Sequence, residues 1–338
     1  MFRLFKALIF LAILSAAAIA GGLWWYAHHP MAMGGEGVEL TIPPGSSMRS
    51  AARLAAERMS VHPDALVLLA RALSRDTRIK AGSYEIEPGT TPLALIDKLT
   101  RGDVTLQELT VPEGWTFAQF RAALAAHPAV HKTMDGRSDA DLYRHVAGST
   151  VGPLAHPAHP EGMFFPDTYL FAKGSTEVAI LRRAHRAMLR RLDAEWQRRA
   201  AGVPYASPYE ALIMASIVEK ETGLARERPQ IAGVFVNRLR KGMLLQTDPT
   251  VIYGLGAAFD GNLRKRDLQT DGPYNTYTRV GLPPTPIALP GAAALQAALN
   301  PARTDALYFV ARGDGSHEFS ASLEAHNRAV NRFQRRGG

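Results

Sequence analysis

Ser207-Pro208-Tyr209-Glu210-Ala211-Leu212-Ile213-Met214-Ala215-Ser216-Ile217-Val218-Glu219-Lys220-Glu221-Thr222-Gly223 decides how the larger part of this chain folds. Ser207 and Glu210 have the spacing of a capping box, Pro208 suits a first helical position, and Gly223 offers a left-handed stop. From Ala211 to Val218 the only polar residue is Ser216, so the predicted helix has no solvent face and must be wrapped by other elements. Glu219 follows this run in the last turn, where the helix dipole and partial desolvation both disfavour the anion. A raised pKa of that kind is what a general acid needs near neutral pH. Glu221, two residues on, points to another side of the helix and is expected to be solvated or paired with a basic neighbour. On these grounds alone Glu219 is a candidate acid, although helix-terminal glutamates are more commonly ordinary surface residues.

Upstream of this helix, residues 176–199 carry helical periodicity with arginines on one face, which read as solvation. Residues 148–160 are rich in Pro and Gly and read as loop, and helical stretches are expected at 117–126 and 138–146. Earlier still, Val38-Glu39-Leu40-Thr41-Ile42 and Gly82-Ser83-Tyr84-Glu85-Ile86 alternate like strands. Helices are predicted from the Ser47 cap through Met59, over 64–73, and from Thr91-Pro92 to a stop at Gly102.

The first residues set the compartment. Residues 7–26 carry no charge and are long enough to span a bilayer, Arg3 and Lys6 precede them, and Trp24-Trp25-Tyr26 suits the far interface. This predicts a single-pass inner-membrane anchor with a cytoplasmic N-terminus and a periplasmic remainder. Ala18-Ile19-Ala20 keeps a cleaved signal peptide open. Residues 27–37 read as a spacer. The net charge of +8 suits an anionic partner, and export argues against nucleic acid. The chain has no cysteine, which excludes disulfides, thiolate metal sites and cysteine nucleophiles. Neither a zinc-ligand spacing nor a phosphate-binding glycine loop is present, so no metal or cofactor is predicted.

From Ala215 the motifs Ser216-Ile217-Val218-Glu219-Lys220-Glu221-Thr222-Gly223, Val236-Asn237-Arg238-Leu239 and Leu245-Gln246-Thr247-Asp248-Pro249-Thr250-Val251-Ile252-Tyr253-Gly254 resemble the YceG-like endolytic transglycosylases. The resemblance continues in Tyr274-Asn275-Thr276-Tyr277, Gly281-Leu282-Pro283-Pro284, Asn300-Pro301, Glu161-Gly162 and Phe165-Pro166-Asp167-Thr168-Tyr169, and covers most of the chain from Val111 onward. Thr285 and Leu289 depart from it, standing where glycine and a small or polar residue are common. His326-Asn327 also looks like a family motif, with capping or packing as the other reading. The resemblance implies an α+β protein: the anchor, a small LysM-like module over 38–110, and a mixed catalytic domain over 111–338 with its core at about 150–338. It implies Glu219 as the catalytic residue, acting on peptidoglycan strands after N-acetylmuramic acid and leaving 1,6-anhydro ends, beside peptidoglycan synthases.

Amides, hydroxyls and tyrosine rings suit a sugar cleft, so Gln246, Thr247, Asp248, Tyr253, Asn275, Tyr277 and Glu161 are the candidate binding residues. Each also has a structural reading as turn or core. Three rivals stand beside the transglycosylase: a muramidase using Glu219 with Glu161 or Asp248 as second acid, a non-catalytic wall-binding protein, and a pyridoxal-phosphate lyase using Lys220.

Overall fold

The computed structural model describes residues 2–33, 38–43, 45–102, 106–148 and 159–334. It divides into two compact units, one of residues 1–108, 129–131 and 170–175, the other of 109–128, 132–169 and 176–338. The short segments 129–131 and 170–175, assigned from sequence to the catalytic region, therefore fall with the N-terminal unit.

In the first unit α1 (Phe2–His28) contains a span, Ile9–His28, long and apolar enough to cross a membrane. Phe10, Leu11, Ile13 and Leu14 are exposed, whereas Ala27 and Met31 are buried in the core of the module that follows. The spacer expected at 27–37 is thus partly corrected. Met31 N–H donates to Thr90 O at 3.0 Å and Ala32 bridges Ser60, while 34–37 lie outside the described residues.

Strands β1 (Val38–Ile42) and β2 (Gly82–Ile86) pair antiparallel with Leu40 opposite Tyr84. Alternation puts Leu40, Ile42, Tyr84 and Ile86 inside. Helices α2 (Met48–Ala56), α3 (Pro63–Ala72) and α4 (Pro92–Arg101) supply the rest of the core. Ser47 and Thr91 cap α2 and α4 as the sequence predicts, and α4 stops on Gly102 at φ +76°. Leu66, Leu95, Ile96 and Leu99 are fully buried, worth about 1.5–3 kcal/mol each in apolar transfer.

Further along lie β3 (Leu106–Thr110), α5 (Phe117–Ala126), β4 (Val130–His131), α6 (Asp139–Ala147), β5 (Thr168–Ala172), β6 (Ser175–Thr176) and α7 (Glu177–Gln197). They are followed by α8 (Pro208–Glu221), α9 (Arg228–Arg240), α10 (Asp248–Leu255), α11 (Lys265–Gln269), α12 (Ala292–Leu299), β7 (Tyr308–Ala311), β8 (His317–Ser320) and α13 (Leu323–Phe333). Most of the loop expected at 148–160 lies outside the described residues.

The second unit is built around α8, against which α7, α9, α10 and α12 pack. All residues from Ala211 to Glu219 are buried, as a run with a single polar member requires. That member, Ser216, donates to Ile213 O at 2.7 Å and accepts from Ile287 N–H at 3.0 Å, so no polar group is stranded. The helix ends differ from expectation in two ways. Glu210 accepts from Ala206 N–H, one residue before the cap, and α8 stops on extended Thr222 without a left-handed Gly223. The arginines of α7 also do more than solvate, for Arg191 lies 4.3 Å over the Phe165 ring and Arg182 donates to His145 O at 3.1 Å.

Candidate active site

The two glutamates at the end of α8 enter unlike surroundings. The Glu219 side chain is 4% exposed, and both its oxygens are occupied. Arg228 Nη2, at the start of α9, donates to Oε1 at 2.7 Å, and Gly291 N–H donates to Oε2 at 2.9 Å. Arg228 also lies 3.7 Å from Glu113, and its Nε is buried without a hydrogen-bond partner. Burial pushes the Glu219 pKa above the ordinary carboxylate value, against the Gly291 N–H and Arg228. The Arg228 guanidinium on one oxygen and the Gly291 N–H on the other oppose that shift and fix the side chain in place, each oxygen keeping a further lone pair. The backbone is shaped to this arrangement, since a Cβ on Gly291 would stand 1.7 Å from Glu113 Oε1.

Glu221, expected to be solvated or paired with a basic neighbour, is turned into the protein with the basic Arg238 and His317 acting on it. It is half-buried and lines a cavity of about 430 Å³ with Arg238, Gln246, Asp248, Tyr277, Tyr308 and His317 among others. Thr247 Oγ1 donates to its Oε1. Burial drives its pKa to about 7, with Asp248 pushing the same way and Thr247, His317 and Arg238 opposing. Around it the walls are held by paired groups: Tyr277 OH donates to Asp248 at 2.5 Å, His317 Nδ1 meets Glu227 at 2.8 Å, and Arg238 donates to Leu307 O and Leu245 O. The Tyr308 ring stacks on His326, 5.2 Å between centroids. Gln246 sits at φ +50°, a left-handed conformation that a non-glycine residue holds only when its surroundings fix it.

A second cavity, of about 930 Å³, lies where α5, α10 and the Lys220 side of α8 meet. Glu161 is buried in its wall, accepting from Phe117 N–H at 2.8 Å and Tyr253 OH at 3.1 Å. Burial raises its pKa to about 7.

The candidate residues therefore divide. Gln246, Asp248 and Tyr277 gather about Glu221, and Tyr253 and Glu161 about the second cavity. Thr247 and Asn275 line neither of these two cavities and make hydrogen bonds within the fold. Thr247 is 1% exposed and holds Glu221. Asn275 is consumed by its own loop: Nδ2 donates to the carbonyls of Asp267, Leu268 and Thr270, and Oδ1 accepts from Tyr277 N–H. The departures Thr285 and Leu289 are absorbed, the first bonding Tyr274 OH at 2.8 Å and the second pairing backbone with Trp115 and Gly114. Sequence reasoning did not single out Arg228, Glu113, His317 and Tyr308, and it quoted Arg238 only within the Val236–Leu239 motif. No short-range spacing marks them, because they come from four separate segments.

With this geometry in view, the chain matches the YceG-like family over residues 40–332, and it belongs to that family. It is 33% identical to an endolytic murein transglycosylase of Bacillus subtilis, over 88% of this chain and 84% of that one. An endolytic murein transglycosylase of Streptococcus pneumoniae is 28% identical over 96% of this chain, which spans 63% of that longer protein. The crystal structure of a YceG-like protein from Listeria monocytogenes is 29% identical, covers 87% of this chain and 99% of its own, and superposes with a TM-score of 0.53.

Proposed function

We propose that this enzyme is an endolytic transglycosylase of murein glycan strands, and that Glu221, rather than the Glu219 expected from the motif, is its acid and base. The observation that carries the reading is a carboxyl with a pKa of about 7 in the wall of a cavity lined by tyrosines, an arginine and a second carboxylate. The function itself is the one borne by the relatives from Bacillus subtilis and Streptococcus pneumoniae.

In the proposed reaction the protonated Glu221 gives its proton to the oxygen linking N-acetylmuramic acid to the next sugar, and the C1–O bond breaks. The carboxylate so formed takes the proton of the same sugar's 6-hydroxyl as O6 closes on C1. The acid is regenerated, no water enters, and the product carries a 1,6-anhydro end. A group half protonated at neutral pH can serve both steps.

The test is digestion of isolated glycan strands by the detergent-solubilised full chain, read by mass spectrometry. Anhydro ends, one water lighter than reducing ends, are expected. Glu221→Gln should lower turnover by roughly a hundred- to ten-thousandfold with folding intact. Reducing ends would favour hydrolysis instead, a reading to which Asp248 in the same cavity lends support, since a muramidase needs a second carboxylate.

The apolar span supports α1 as a single-pass inner-membrane anchor with the rest periplasmic, and the two-stranded unit after it as a LysM-like module that positions substrate.

A further inference from the structure

The first unit holds a cavity of its own, of about 710 Å³, beside the point where α1 meets the module. Leu23 and Tyr26 of α1 pack against the module's core and Ala27 is buried in it, so the last turns of the apolar span are already taken up by protein. What remains is short. From Ala7 to Gly22 a helix rises about 24 Å, less than the roughly 30 Å of hydrocarbon in a bilayer. If α1 spans the membrane, the turns from Leu23 to His28 must complete the crossing, which brings them to the headgroup layer. The exposed Trp24 and Trp25 suit that depth. The cavity lies at the same depth, because Tyr26 lines it.

Three segments wall this cavity: the end of α1, residues 32–33, and the connection from α2 to α3. Two contacts tie them together, for Tyr26 OH donates to His62 O at 3.3 Å and Ala32 bridges Ser60. Met33, Met59 and Val61 join the Tyr26 ring in an apolar lining. The charged side chains are one of each sign, Glu57 and Arg58, adjacent in sequence and both exposed. Among the described residues neither has an ion-pair partner, and Arg53, one turn before Glu57, does not pair with it. A lone anion drawn to Arg58 would meet the Glu57 carboxylate as well. A ligand carrying both signs satisfies both.

We infer that this cavity seats a phospholipid headgroup of the phosphoethanolamine type, its phosphate on Arg58 and its ammonium on Glu57, with the glycerol backbone against Met33 and Met59. The planar guanidinium fork suits phosphate oxygens, and a primary ammonium brings three N–H donors to a carboxylate. A trimethylated ammonium brings none, and a glycerol headgroup has no cation, so Glu57 makes the site select among lipids. Bound lipid fastens the module to the membrane surface at a second point besides α1. The inference rests on the proposed anchoring by α1 and is independent of which glutamate cleaves the glycan.

The experiment is native mass spectrometry of the delipidated, detergent-solubilised full chain, titrated with phosphatidylethanolamine, phosphatidylcholine and phosphatidylglycerol of identical acyl chains. Phosphatidylethanolamine should bind roughly tenfold more tightly than either of the others, as one charge-assisted contact allows. Glu57→Gln should bring the ethanolamine and choline lipids to parity. Arg58→Gln should weaken all three, and Arg58→Lys should keep most of the binding. Equal binding of the three lipids by the parent, a preference for phosphatidylglycerol, or an ethanolamine preference that survives Glu57→Gln would overturn the assignment. So would binding that Arg58→Gln leaves unchanged. Alkaline extraction of membranes separates the inference from its premise. A chain released by carbonate sinks the anchor and the lipid site together, whereas a retained chain without lipid preference sinks the lipid site alone.

Discussion

The two sides of one helical turn offer the most instructive contrast in the molecule. Glu219 and Glu221 are separated by one residue, share a helix end, and are both pushed towards the neutral form by burial. What differs is what other segments bring to each. Glu219 receives a guanidinium from α9 and a backbone N–H from the approach to α12, so its desolvation is answered by two charge-assisted bonds. Glu221 receives one hydroxyl, a neighbouring carboxylate and a cavity in which Arg238 and His317 favour its anion. On the proposed reading the first arrangement serves as a strut and the second as the acid.

Exchanging each for glutamine should separate these roles, with the largest effects in opposite assays. Glu221→Gln should remove turnover by the factors given above while leaving thermal unfolding nearly unchanged. Glu219→Gln should instead lower stability, because it leaves Arg228 buried with only the more distant Glu113 as counter-charge. Removing one partner of a buried pair costs about 3–5 kcal/mol, which denaturant titration would register. Activity in the fraction that stays folded should persist. Folded, stable and inactive Glu219→Gln would reverse the assignment.

The pH profile gives a second, smaller handle. With its pKa at about 7, Glu221 is protonated below that value and loses its proton above it, so kcat/KM on glycan strands should fall about tenfold per pH unit on the alkaline side of a midpoint near 7. The same sign governs stability. A carboxyl that binds its proton more tightly folded than unfolded favours the fold below the unfolded pKa, and this contribution is lost as pH rises through about 7. A midpoint near the ordinary carboxylate value would show that Glu221 is not the titrating group.

How much of this was legible in the sequence follows from the range of the forces involved. The course of α8 could be read from Ser207, Pro208 and an apolar run because capping and burial are local patterns. So could the paired strands at Val38–Ile42 and Gly82–Ile86, where side chains alternate with period 2. What surrounds Glu219 and Glu221 could not be read, because it is set by Arg228, Thr247 and Gly291, which lie up to 72 residues from the glutamate they touch. The bonds of Asn275 were hidden for the same reason, since its amide nitrogen and oxygen are used within its own loop. Gly223 was a fair stop signal, but extended Thr222 ends the helix first, and its hydroxyl accepts from Leu224 N–H at 3.0 Å.

The smallest expected effect is also the most discriminating, because it leaves both glutamates in place. Thr247 Oγ1 donates to Glu221 and so favours the carboxylate. Thr247→Val keeps the branched shape and the backbone N–H that bonds Thr276, and removes only the hydroxyl. The Glu221 anion then loses a donor, so the alkaline limb of kcat/KM should move to higher pH by about one unit, the equivalent of ~1.4 kcal/mol of lost anion stabilisation. Turnover on the acidic side should change little, since the protonated acid is already the dominant form there. Glu219→Gln should leave the midpoint where it is, because Glu219 bonds neither Thr247 nor the cavity wall. A limb that shifts in Glu219→Gln and stays fixed in Thr247→Val would assign the titration to the wrong side of the turn and return the acid to Glu219.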